Sequence, residues 1–142
     1  MEESNSYALL SEGRQPFSVE AEQSVIGSMI MDREAIVVAS EIITGEDFYN
    51  RQYGVLFETM VELNDSGRPV ENLPIDFITL LEKLKSKGVY DEAGGKSYLT
   101  QLVQCVPSTA NLDNYIAIVR DRFFARSLMQ AAQNIIKDIN EN

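Results

Sequence analysis

Catalytic chemistry needs side chains that move protons, attack or hold ions, and this sequence is short of them. It has 142 residues and no histidine, so the commonest general base and metal ligand is missing. Cys105 is the only cysteine, which rules out an intrachain disulfide and a structural zinc site built on thiolates. With Val103 and Val106 as neighbours, Cys105 reads as a small buried apolar residue. The paired acids Glu20/Glu22, Glu46/Asp47 and Asp91/Glu92 fall at helix starts or in loops. There, capping and solvation account for them better than acid–base work. "EAGGK" has two glycines and a lysine, but neither the spacing of a phosphate-binding loop nor a strand before it, so it reads as a turn. Arg120, Arg122, Phe123, Phe124 and Arg126 interleave basic and aromatic residues. On a chain with net charge −10 they read as a helix with salt-bridged flanks and a packed face, not as a nucleic-acid strip.

Composition supports a folded, acidic, non-catalytic domain. Apolar residues make up 44% of the chain, enough for a packed core. The 12 basic and 22 acidic residues repel phosphate backbones, so the chain is not expected to grip DNA or RNA by itself. No run reaches the roughly 18 apolar residues of a membrane span. The opening MEESNSYALLSEGRQP has no basic region followed by an apolar run, so it is no signal peptide. The expected location is cytoplasmic, away from any membrane.

The elements that would position these residues are all helical. Residues 1–15 read as a mobile tail. Ser18 is a good N-cap for a helix carrying Val25, Ile26, Met29 and Ile30 and ending near Met31. Asp32 caps a second helix over about 34–43, whose β-branched residues would also suit a strand. Asn50 precedes a third over about 51–65, and 68–76 is a loop. Asp76 caps a fourth that Gly88 terminates. A fifth runs from about Lys96 to Gln104, with Leu99 and Leu102 in the core, until Pro107 forbids its continuation.

The last helix is different in kind. Between about Leu112 and Ile139 there is neither proline nor glycine, and roughly 28 residues at 1.5 Å each make a rod of about 42 Å. At 100° per residue, Leu112, Ile116, Val119 and Phe123 share one face. Phe124, Leu128, Ala131, Ala132, Ile135 and Ile139 lie on another, more than a third of a circle away. The first half can cover a head formed by residues 16–110. The second half, with Leu128, Ala131, Ile135 and Ile139 as its strip, needs a different partner.

Four segments carry a family resemblance: PFSVEAEQSVIGSMIMD, DFYNRQYGVLF, PIDFITLLEKLKSKGVYDEAGGKSYLTQL and VPSTANLDNYIAIVRDR. In this order and spacing, over about Pro16 to Leu128, they resemble the N-terminal domain of the DnaB family of bacterial replicative helicases. Tyr53 stands where the family usually has histidine, and there are extra residues around Glu71-Asn72-Leu73. The resemblance implies an all-α fold: a compact head of about five helices, then a long helix over 111–142 that is the first arm of a helical hairpin. It implies a collar domain in a ring-shaped hexamer, which docks the primase C-terminal domain and responds to the helicase loader. Glu20 and Tyr98 match family positions near the primase-docking face. ATP, Mg and DNA translocation would belong to a separate RecA-like motor domain. No Walker-type motif occurs in these 142 residues, so the chain is expected to be a non-enzymatic part of a longer ATP-dependent DNA helicase. By itself it would pair with a second copy, or else its long helix would fray from about Leu128 onward. A free-standing phage or plasmid adaptor that binds a host primase or loader is the alternative.

Overall fold

The computed structural model describes residues 15–66, 76–106 and 109–141. The expected N-terminal tail and the loop over 68–75 lie outside these, apart from Gln15. Among the described residues there are six α-helices, one 3-10 turn and no strand. The helices are α1 (Val19–Met31), α2 (Arg33–Ser40), α3 (Arg51–Ser66), α4 (Phe77–Ser86), α5 (Gly95–Gln104) and α6 (Leu112–Glu141).

Local capping decides where several of them start. Ser18 Oγ accepts from Ala21 N at 3.1 Å, Asp32 Oδ1 from Glu34 N at 3.0 Å, and Asp76 Oδ1 from Ile78 N at 3.1 Å. Each bond satisfies a backbone donor that the first helical turn leaves open. The second helix stops at Ser40, earlier than the expected residue 43. Ser40 Oγ turns back to Val37 O at 3.1 Å, and Ile42 N and Ile43 N both bond Ala39 O, at 3.0 and 2.9 Å. That tightening ends the α-helical ladder. A 3-10 turn over Gly45–Asp47 follows, held by Asp47 Oδ1, which accepts from Thr44 Oγ1 at 2.9 Å.

The core is a single cluster. Val25, Ile26 and Met29 of α1 meet Ile36, Leu56, Met60, Leu80, Leu84 and Leu99 from the other head helices, all essentially inaccessible to water. α1 lies along α6, where Ile116 and Val119 close over it. Leu99 and Leu102 are buried on α5 as expected. The turn before α5 needs both of its glycines, since Gly94 has φ +98° and Gly95 φ +74°, a region that side-chain-bearing residues rarely adopt.

Cys105 is exposed, contrary to the expectation of burial. It is the C-cap of α5, with its amide on Gln101 O at 3.1 Å. The helix ends there, and Val106 takes the inward position that Cys105 would have filled.

Candidate partner-docking surface

Burial along α6 changes abruptly. Leu112, Ile116 and Val119 are its buried residues, at 8%, 1% and 2% exposure. Leu128, Ile135 and Ile139 stand at 69%, 60% and 70%, and Ala131 is exposed between them. The strip therefore lies along one side of α6 beyond the part that closes over the head.

Arg126 marks where the two halves meet. Its Nη1 donates to Pro16 O at 2.9 Å and its Nη2 to Asp47 O at 2.7 Å. The guanidinium lies 5.5 Å from the centre of the Tyr49 ring and 5.8 Å from that of Phe123, and Tyr49 stacks on Phe17 at 4.1 Å. A planar fork with several donors and an aromatic-compatible face suits this setting as lysine would not. Burial pulls the guanidinium below its ordinary pKa, while the Glu22 and Asp47 carboxylates oppose that shift. The expected salt-bridged role of Arg126 is corrected here: its partners are two main-chain carbonyls, which leave no mark on sequence.

Glu22 also departs from expectation. Instead of a solvated first-turn acid, it is buried at 1% exposure. Its carboxylate accepts from Tyr49 N at 2.9 Å, Asn50 N at 3.1 Å and Asn50 Nδ2 at 3.0 Å. It thus caps the corner ahead of α3 from a different helix, and these bonds repay its desolvation.

Glu20, by contrast, is exposed, and its Oε1 accepts from Tyr115 Oη of α6 at 3.4 Å. Tyr98 is half-buried on α5, and its hydroxyl bonds that of Tyr53 on α3. Gln23 Nε2 of α1 completes the chain by donating to Tyr53 Oη at 3.0 Å. Burial, then the bond to Tyr53, raises the Tyr98 pKa. Glu20 and Gln23 are three residues apart, neighbours on the surface of α1. The hydrogen-bonded chain thus runs from Tyr98 through Tyr53 to Gln23, while the bond of Glu20 goes to Tyr115, so the two sequence-selected residues are not bonded to each other.

Among the described residues no group of three or more His, Cys, Asp or Glu side chains is placed to hold a metal. No helix among them is long and apolar enough to cross a membrane.

The sequence profile described as "DnaB-like helicase N terminal domain" matches residues 14–121. The chain belongs to this family. It is 38% identical over 130 residues to the replicative DNA helicase DnaB of Geobacillus stearothermophilus, covering 92% of this chain and 28% of that protein. The replicative DNA helicase DnaC of Bacillus subtilis is 34% identical over 130 residues, with the same two coverages of 92% and 28%. The crystal structure of the N-terminal domain of DnaB helicase from Mycobacterium tuberculosis superposes with a TM-score of 0.79 at 29% identity. That superposition covers 87% of this chain and 83% of the other. The chain thus has the all-helical fold of a DnaB N-terminal domain, and it spans under a third of the length of the two curated relatives.

Proposed function

We propose that this domain is the interaction and oligomerisation collar of a ring-shaped replicative DNA helicase. In that protein a separate motor domain, with ATP and Mg, unwinds DNA in the cytoplasm. The observation that carries the proposal is the change along α6 from a buried inner half to an outer half with Leu128, Ile135 and Ile139 in solvent. A contiguous apolar strip on a soluble protein is covered by a partner or drives association. In the whole protein a second helical arm and a neighbouring subunit cover it. In this domain alone a second copy does so, most simply across a two-fold axis.

The docking face combines Glu20 with Tyr98. It presents an exposed carboxylate and an aromatic ring to the primase C-terminal domain, and the helicase loader acts through the same collar. Ring stacking and a charge-assisted bond suit such a contact.

Sedimentation of the wild-type domain and of Ile135→Glu tests the strip. The wild type is expected to dimerise and the variant to stay monomeric with an unchanged melt of the head. A variant whose head unfolds would show that α6 folds back on its own core and would sink the proposal. Titration with a primase C-terminal domain tests the docking face. Glu20→Lys should weaken binding about tenfold, in line with loss of a favourable charge pair. Undiminished binding would remove Glu20 from that face.

A further inference from the structure

Two adjoining hollows lie on the head around Gly45, where the 3-10 turn meets α3. One, of about 320 Å³, is walled by Ile43, Phe57 and Val61. The other, of about 230 Å³, is walled by Phe48, Val55 and Gly54 together with Glu46, Tyr49 and Arg51. Gly45 and Glu58 line both. The floor requires Gly54, which packs on backbone, while Gly45 seats the Glu58 side chain. A Cβ on Gly54 would come within 2.6 Å of Gly45 O, and one on Gly45 within 2.4 Å of Glu58 Oε1. The Glu58 carboxylate therefore lies directly over Gly45, on the divide between the hollows.

The rim carries more negative than positive charge, with Glu46, Glu58 and Glu62 against Arg51. Arg51 is the sole cation among the described lining residues, and its Nε bonds Glu92 at 2.7 Å. Glu62, at the far end, holds Lys87 at 3.0 Å. Glu46 and Glu58 have no ion-pair partner among the described residues. A concavity lined by both apolar and polar groups and divided by an unmatched carboxylate, on a chain of net charge −10, selects against acidic ligands and for a cationic one.

We infer that this double hollow docks a basic, apolar segment of a partner protein, which places an apolar side chain in each hollow and a lysine or arginine on Glu58. On a helix that pattern is an apolar, a basic and again an apolar residue on one face, as in other helix-in-groove contacts. The hollows are built from α2, α3 and the 3-10 turn, and the strip on α6 contributes nothing to them. Failure here and failure of the collar reading are therefore separate events.

The probe is a synthetic amphipathic helical peptide with leucines on one face and one lysine between them. A second peptide has glutamate in place of that lysine. NMR titration of the intact domain should move the amides of Ile43, Phe57 and Val61 with the lysine peptide and not with the glutamate peptide. Glu58→Lys should weaken the lysine peptide about tenfold, and the loss should shrink as salt screens the pair. Glu58 is exposed, so the variant should fold, and a thermal melt checks that. No shifts with wild type, shifts elsewhere, equal binding of both peptides, or binding indifferent to Glu58→Lys would each overturn the inference. Self-association abolished by Glu58→Lys would also overturn it, assigning the hollows to a second copy of the chain.

Discussion

Arg126 Nη2 donates to the carbonyl of Asp47 at 2.7 Å, joining residues 79 apart in sequence. With the bond to Pro16 O, one side chain on α6 holds both the segment leading into α1 and the turn leading into α3. The direction in which the outer half of α6 leaves the head is set at this point. Arg126→Met keeps the stem but removes both bonds. It should cost about 2 kcal/mol, since each bond from a charged donor contributes about 1.5–3 kcal/mol before discounting for partial exposure. Thermal melts measure the loss, and hydrogen exchange should speed up in α6 beyond Phe123. Unchanged exchange there would mean that packing alone orients the helix.

Glu22 organises the same corner from below. Glu22→Gln preserves its shape but replaces one accepting oxygen with a donor that faces donors. The expected cost is about 1–3 kcal/mol, the penalty for leaving a buried polar group unsatisfied. Denaturant unfolding with an unchanged m-value reads this directly. Wild-type stability would show that water readily replaces the carboxylate.

The tyrosine pair predicts an alkaline response. Folding raises the Tyr98 pKa, through burial first and the bond to Tyr53 second. The neutral hydroxyl is therefore favoured in the folded state. Its contribution is fully present below the unfolded tyrosine value of about 10 and is lost as pH rises above it. Melting temperatures compared at about pH 8 and about pH 11, either side of that value, should fall less for Tyr98→Phe than for the wild type. Equal falls would assign the alkaline loss to other groups.

The core of the head depends on α5. Leu102 is 3% exposed, and Leu102→Ala should cost about 2–5 kcal/mol through lost burial and the cavity left behind. A melting temperature unchanged within error would mean that the site collapses onto the deletion.

Much of this fold was legible in the residues because it is written at short range. Ser18, Asp32 and Asp76 announce helix starts through bonds spanning two or three residues, and all three hold. The turn of the apolar stripe on α6 announced a helix with two faces, and exposure changes between Val119 and Leu128 accordingly. Periodicity and capping act within one or two turns, so the local order of residues determines them. Four motifs in order were enough for the family.

The tertiary structure alone decided the rest. Glu22 looked like any first-turn acid until folding brought Asn50, 28 residues away, against it. Arg126 was visible as a cation, but its partners are main-chain carbonyls, and every residue has one, so no pattern of side chains could point to Asp47 or Pro16. Cys105 sits among apolar neighbours, yet the last turn of α5 aims it outward and Val106 inward. The 3-10 turn is only three residues long, too short for a period to show, and it sets the divide on which Glu58 lies. For Glu22, Arg126 and Glu58 the deciding contact joins segments whose separation along the chain carries no information about their distance in space.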